Sequence, residues 1–442
     1  MSQVETRATP LKRILGLGFA VAVAFGGTIG VGILRLPGDV AALLGNVPLI
    51  ALVWLAGGLY ATLGAMSVAE LVTMMPAAGG FYVYARRAFG TGYALLVGVN
   101  DWMVQVLSIA YAAFAAADFI GALVPALAGH GQAVALGVVA LVTGVHCLGL
   151  RVGSRTQNAI SVLVAISLVG LVLACFVVTP PPAVAAAAGP RHSALALAAA
   201  VFGALRLVLV AYDGWYSSIY FAEETVDAVR AVPRAMIGAA LLTMTLYLLI
   251  NAGLLHALSL PGLAAAKLPV VEAARVLLPG GAAELVALIS LCVVLSLLNS
   301  VMLMAPRIVY ALGRDRLLPR PTTWVSAGGT PGVALALTSA VAALAILSGT
   351  FEQIIDVSAL LFVLNYLTAY AAVIVLRRRE PDAPRPFRVP AYPWTTLLVL
   401  GGSAAYLVLA FVDDPRIGAW AALWLAVVGA LSWWVARART ST

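Results

Sequence analysis

Apolar runs, each about as long as a helix needs to cross a hydrocarbon layer, follow one another along almost all of this 442-residue chain. Twelve can be delimited, at 14–44, 48–75, 92–122, 132–149, 158–179, 196–222, 234–257, 283–312, 331–349, 353–377, 394–412 and 418–436. Lipid offers no hydrogen-bond partner, so a single segment crossing it must satisfy its own amides, which a helix does. Apolar residues make up 63% and charged residues 10%, against roughly 45–50% and 25% in soluble domains. Two lysines, Lys12 and Lys267, serve the whole chain, leaving little material for a solvated charged surface. The expectation is an all-α membrane protein of 12 transmembrane helices, one integral domain over 1–442 with no soluble module. Polar connections such as 180–195 and 258–282 link the runs, and the prolines at 180–182 should end span 5 in an extended loop.

The net charge of +8 does not describe a basic groove for nucleic acid, because the arginines sit in short clusters between apolar runs. With the N-terminus cytoplasmic, inside segments hold 20 of the 26 Lys and Arg, outside loops hold four, and Arg35 and Arg206 remain within spans. That asymmetry sets the orientation: a multi-pass protein of the cytoplasmic membrane with both termini inside. The polar start, with Arg7, Lys12 and Arg13, carries no short apolar core followed by a cleavage site, so no signal peptide is read. Cys147, Cys175 and Cys292 each lie in an apolar run and read as buried thiols. No two histidines have metal-ligand spacing and no nucleophile–base pattern is found, so neither a metal site nor an enzyme is expected. Trp394, Trp420, Trp433 and Trp434 near span ends fit an aromatic belt.

Two spans are interrupted by glycine at matching places: Phe25-Gly26-Gly27-Thr28-Ile29-Gly30-Val31-Gly32 in span 1 and Val210-Ala211-Tyr212-Asp213-Gly214-Trp215-Tyr216 in span 6. Glycines spaced like Gly26 and Gly30 also serve close helix packing. Four glycines in seven residues exceed that need, and packing does not explain a second interruption five spans later. A broken helix is tolerated in a membrane only where it lines a cavity, and paired breaks point to the substrate site of a secondary transporter. Five intervening spans imply inverted repeats, the first within 1–179 and the second within 196–377, with two helices at 394–436 appended. At the span-1 break the amides of Gly30, Val31 and Gly32 are free donors at a positive helix end, suited to a carboxylate. At the span-6 break the carbonyls of Val210, Ala211 and Asp213 are acceptors suited to an ammonium group, with the Thr28 carbonyl beside them. Such a pocket fits a zwitterionic α-amino acid, and equally admits another small amphoteric or polar solute.

The first of these runs resembles the first-span motif of the amino acid–polyamine–organocation superfamily. So do Ala69-Glu70-Leu71 with Met75-Pro76-Ala77-Ala78-Gly79-Gly80-Phe81-Tyr82-Val83-Tyr84, and Phe89-Gly90. Ala211-Tyr212-Asp213-Gly214-Trp215 with Glu223-Glu224 and Val232-Pro233-Arg234-Ala235 is similar to the span 6–7 region of its L-type and small-neutral amino acid exchangers. Leu376-Arg377-Arg378-Arg379 and Pro384-Arg385-Pro386-Phe387-Arg388-Val389-Pro390 resemble their loop after span 10. The resemblance implies a leucine-transporter-like 5+5 inverted repeat with two additional helices, moving amino acids by alternating access. It also implies that Asn299 lies near the substrate. Two departures stand out. Val210 occupies the place of an aromatic gate, so a lid would have to come from Tyr212, Trp215 or span 10. Span 5 lacks the lysine of many relatives, with Val164, Ala165 and Ser167 in that neighbourhood.

Candidates for coupling and gating are the charged groups within or at the ends of spans. Asp101 reads as a proton carrier or as one half of a structural pair, and Arg206 as a scaffold partner of an acid or of backbone oxygens. Asp213 either contacts the ammonium or braces the break. Glu70, Glu223 and Glu224 lie among inner arginines as gating or structural ion pairs. Ser161, Ser296, Asn299 and Ser300 could ligate sodium or bridge helices. No cofactor is expected; a proton ranks ahead of sodium as coupling ion. The function expected is secondary transport of neutral amino acids by symport or exchange, the alternative being a polyamine or cationic amino acid carrier.

Overall fold

The computed structural model describes residues 10–177, 193–277, 282–348, 351–413 and 415–440, without the side chains of 282–283, 351–359, 413, 417 and 436–440. Arg7, the prolines at 180–182 and Arg191 lie outside them. Fifteen α-helices follow in order: α1 (Leu17–Thr28), α2 (Val31–Leu44), α3 (Val47–Met74), α4 (Phe81–Phe89), α5 (Thr91–Leu123), α6 (Gly131–Cys147), α7 (Leu150–Val177), α8 (Ala194–Ala211), α9 (Ala228–Ala265), α10 (Pro269–Leu277), α11 (Ala282–Arg314), α12 (Gly332–Ser348), α13 (Phe351–Arg379), α14 (Trp394–Asp413) and α15 (Pro415–Thr440). Among the described residues the extended pairing is a single bridge between Leu15 and Thr225.

Nine of these helices, α3, α5, α7, α8, α9, α11, α13, α14 and α15, contain stretches long and apolar enough to cross a bilayer. The pair α1 and α2, bent by 41° at its break, makes a tenth such element. The helices α6 and α12 are apolar but only 17 residues each, about 25 Å at 1.5 Å per residue. Their outward faces show what surrounds them. In α7 only 33% of the most apolar stretch is buried, and Ile166, Leu173 and Val177 project outward. An apolar face of that extent is stable in lipid and not in water. Trp394, Trp420, Trp433 and Trp434 are all exposed, as a belt requires.

Local chemistry sets the boundaries. Gly45, at φ +55°, closes α2 in a left-handed turn that glycine adopts without strain. Asn46 then caps α3, its side chain accepting from the Leu49 amide at 3.0 Å, with Pro48 in the first turn. Ser193 caps α8 in the same way through Ala196 at 3.2 Å. Within the core α3 packs along α9, and α5 runs against α11 and α13. The helix α1 is held between α7, α9 and α11.

Three expectations need correction. The connection 258–282 is not simply loop: α9 continues through a kink at Ser259 (φ 62°), and α10 follows. A side chain at Gly38 would strike the Ala266 carbonyl and Pro269, so this folded connection presses on α2. The connection between spans 2 and 3 is not all loop either: it holds the helix α4, which buries Phe81, Tyr82, Tyr84, Ala85 and Ala88 and exposes Arg86 and Arg87. Cys147 is exposed at the end of α6, where its apolar neighbourhood suggested burial; Cys175 is buried and Cys292 half-buried.

Candidate substrate site

Both interruptions are real breaks in the chain path, and they meet. The helix α1 ends at Thr28, whose hydroxyl donates back to the Ala24 carbonyl at 2.7 Å. Ile29 and Gly30 are extended, and α2 restarts at Val31 without a side chain capping Gly30. Its first-turn N–H groups therefore lack intrahelical partners and point along a positive helix end. The helix α8 stops at Ala211 and the chain turns irregularly through Gly214 at φ +110°. It resumes as a 3-10 turn at Ser217–Phe221, every residue of which is buried. A Cβ on Gly214 would fall on the Gly27 carbonyl, and one on Gly27 would strike the Ser217 hydroxyl. Only glycine permits this backbone-to-backbone approach together with that φ.

Between the breaks lies a cavity of about 260 Å³, below the roughly 300–1,000 Å³ typical of drug-sized ligand pockets. One wall carries Thr28, Gly30, Val31 and Gly32, and the facing wall Val210, Ala211 and Asp213. Leu297, Val301 and Met304 give an apolar side from α11, while Gln105, Ser108 and Tyr111 give a polar one from α5. Phe362 and Tyr406 also line it, and Arg35, Asp39 and Arg206 line it along α2 and α8 away from the breaks. Arg35 and Asp39 are exposed, so the cavity opens at that end. The Asp213 carboxylate accepts from the Tyr366 hydroxyl, so it braces the break while also lining the cavity. Tyr247, fully buried on α9, contacts both breaks: its hydroxyl lies 3.2 Å from the Thr28 carbonyl and 3.1 Å from the Ala211 carbonyl.

The opposite end, where the N-terminal segment lies, is closed by ion pairs. Arg307 of α11 pairs with Glu224 through both guanidinium and carboxylate edges, one contact at 2.9 Å, and stacks 4.4 Å above the Phe221 ring. Both partners are buried. Arg314 bonds Glu223 at 2.6 Å, and Glu223 also accepts from the Ala78 amide at 3.0 Å. Asp315 accepts from Tyr82 at 2.6 Å and pairs with Arg86. Glu70 holds Arg377 at 2.8 Å, Arg385 at 3.2 Å and the Val389 amide at 2.9 Å.

Of the residues singled out in the sequence, Thr28, Gly30, Val31, Gly32, Val210, Ala211, Asp213 and Arg206 come together around the cavity. Asn299 does not: its amide donates to Gln157 at 2.8 Å and to the Gly153 carbonyl at 3.3 Å, outside the lining. Gln157 and Ser161, rather than Val164, Ala165 or Ser167, make the polar contact of α7 with α1, both reaching the Ala22 carbonyl. Ser300 donates to the Val23 carbonyl at 3.0 Å. Tyr212 and Trp215 turn away from the cavity. Tyr212 bonds the Trp54 carbonyl at 3.1 Å and Trp215 stacks on Tyr366, so the aromatic groups at the lining are Tyr111, Tyr216, Phe362 and Tyr406. Asp101 lies fully buried outside the lining and Glu70 belongs to the sealed end. The roles of Gln105, Ser108 and Tyr247 were missed. Asp101, Gln105 and Ser108 at helical spacing in an apolar run were a usable signal. One tyrosine in span 7 gave none.

Residues 15–433 match the amino acid permease family. The chain is 28% identical over 427 residues to the serine/threonine exchanger of Bacillus subtilis, covering 93% of this chain and 94% of that one. It is 26% identical over 426 residues to the b(0,+)-type amino acid transporter 1 of Mus musculus, covering 93% and 85%. An uncharacterized transporter of Mycobacterium tuberculosis is 30% identical over 323 residues, covering 72% and 69%. Broken helices around a small cavity and a match over nearly the whole length agree: this chain belongs to the amino acid permease family, within the amino acid–polyamine–organocation superfamily.

Proposed function

We propose that this permease carries small and medium neutral α-amino acids across the cytoplasmic membrane by alternating access, in symport or exchange. It is a transporter and not an enzyme. The observation carrying the substrate assignment is the pair of facing breaks. Uncapped amides of Gly30, Val31 and Gly32 receive the carboxylate, and the carbonyls of Thr28, Val210, Ala211 and Asp213 receive the ammonium. The substrate side chain rests against Leu297, Val301 and Met304, with Val210 leaving it room. Gln105, Ser108 and Ser217, together with the similarity to a serine/threonine exchanger, support hydroxyl side chains among the substrates.

In this reading α6 and α12 also span, giving twelve crossings: two inverted five-helix repeats followed by α14 and α15. Support comes from the packing of α3 on α9 and of α5 on α11, the pairs such a repeat relates. The arginine distribution supports both termini inside. The cavity then opens outward, and the ion-paired end is the cytoplasmic barrier. Asp39 and Asp213 in the lining favour one second reading, a polyamine or cationic amino acid carrier.

Uptake by reconstituted vesicles of each of the twenty amino acids, with putrescine as competitor, separates the two. Saturable uptake of serine, threonine or alanine unaffected by putrescine is expected. Uptake confined to lysine and arginine, with putrescine competing, would replace the proposal by the second reading.

A further inference from the structure

Asp101 is an acid without a base. It is fully buried in α5, and among the described residues no ion pair involves it. Its carboxylate is held by neutral donors: the Tyr220 hydroxyl at 2.8 and 3.0 Å, the Asn365 amide at 3.2 Å and the Gln105 amide at 3.4 Å. The other ionisable groups facing it are Tyr84 of α4, Tyr216 before the 3-10 turn, and Asp213 at the break. On α11, Arg307 and Arg314 are engaged by Glu224 and Glu223. The helices α6 and α12 carry no Asp, Glu, Lys or Arg, and α15 has its arginines at its two ends. A buried carboxylate without a cation is costly, and here neutral donors alone meet that cost.

Two features make this site more than structural. Gln105, one hydrogen bond from Asp101, lines the substrate cavity, so a proton has a short route from the open end. Tyr220 belongs to Ser217–Phe221, the segment that follows the span-6 break and reaches the sealed end. While charged, Asp101 accepts from Tyr220 with both oxygens and ties that segment to α5. Once protonated, one oxygen becomes a donor and the hold on Tyr220 weakens. Moving Tyr220 away also strands less charge when the acid is neutral.

We propose that Asp101 binds one proton from the open side in each cycle and releases it to the other side together with the amino acid. This rests on the transport reading above. The step is a simple transfer: a proton from water in the cavity adds to the carboxylate, and water at the opposite face removes it.

The test uses the full chain in vesicles holding the pH dye pyranine, with a mixture of the twenty L-amino acids added outside. Radiolabelled uptake and counterflow are followed in parallel. Internal acidification should accompany uptake by the wild type. D101N should keep counterflow but lose proton movement at least tenfold relative to substrate, and D101E should keep proton movement with a displaced pH profile. If D101N does not reach the membrane, D101E and the wild type decide. Uptake without acidification, alkalinisation on uptake, or a D101N or D101E protein carrying protons as the wild type does would overturn the inference. Counterflow without proton movement overturns it alone; a wild type showing neither amino acid uptake nor counterflow overturns the transport reading and this inference with it.

Discussion

The two ends of the cavity are lined by continuations of the same two broken helices, yet they are built on opposite principles. Toward the N-terminal end, nine of the twelve residues of α1 and all five of Ser217–Phe221 are buried. There the acids Glu223 and Glu224 are matched to arginines of α11. Toward the other end α8 buries only Ala204, Val208 and Ala211 of its 18 residues, and Arg35 and Asp39 are exposed. Burial alone would make the sealed end permanent, because leaving a buried ion unpaired costs about 3–5 kcal/mol. The lesson is that it opens only if its pairs move together or hydrate together. The open end has none of these pairs to break.

The largest expected effect is at the point the two ends share. Gly214→Ala combines a left-handed strain of about 1–2 kcal/mol with overpacking of about 1–3 kcal/mol against Gly27. Uptake should fall by two orders of magnitude or more, each tenfold being about 1.4 kcal/mol. Wild-type uptake by a well-inserted Gly214→Ala protein would mean the breaks do not touch.

Next comes the seal. Glu224→Ala alone strands Arg307 and should lower thermal stability in detergent by about 3–5 kcal/mol. The double variant Glu224→Met with Arg307→Met should recover most of it while admitting impermeant thiol reagent from the cytoplasmic side to Ser217→Cys. Equal losses in the single and double variants would show that the pair does not act as a unit.

Tyr247→Phe removes a hydroxyl that bonds both breaks, a hydrogen bond of about 0.5–1.5 kcal/mol. Its KM should shift a few-fold, with a smaller change in maximal rate; a loss as large as that of Gly214→Ala would contradict a merely bridging role. The smallest effect belongs to the exposed pair of Arg87 with Glu380 at 2.6 Å, beyond the end of α13. The Arg87 guanidinium holds the Glu380 carboxyl below the usual carboxylate range. The pair's contribution is thus complete above the ordinary glutamate value of about 4.3 and fades as pH falls below it. Glu380→Gln should leave uptake between pH 6 and 8 within about twofold of wild type.

Much of this was legible in the residues because the membrane removes alternatives. An apolar run must become a helix, and glycine clusters at matched places reveal where that helix fails. The contributions of Thr28, Gly30, Val31, Gly32, Val210, Ala211 and Asp213 to the lining follow from backbone geometry, which local sequence encodes. Asn299, Tyr212 and Trp215 went astray because side-chain direction depends on the facing helix. Gln157 claims the Asn299 amide, and the Trp54 carbonyl and Tyr366 ring draw the two aromatics away from the cavity. The helix α4 escaped notice because nine residues between two long spans look like a loop by length, although Phe81, Tyr82, Tyr84, Ala85 and Ala88 form an amphipathic face. Tyr247 meets both breaks only through the crossing of α9, which no local pattern records.

Calorimetric binding of the best-transported amino acid to the purified protein, beside analogues lacking either the α-amino group or the carboxylate, tests the two-pole grip most directly. Each charge-assisted contact is worth about 1.5–3 kcal/mol, so removing either pole should weaken binding tenfold or more, and Gly30→Ala should selectively erase the preference for the carboxylate. An analogue without one pole that binds as tightly as the parent amino acid would contradict the account.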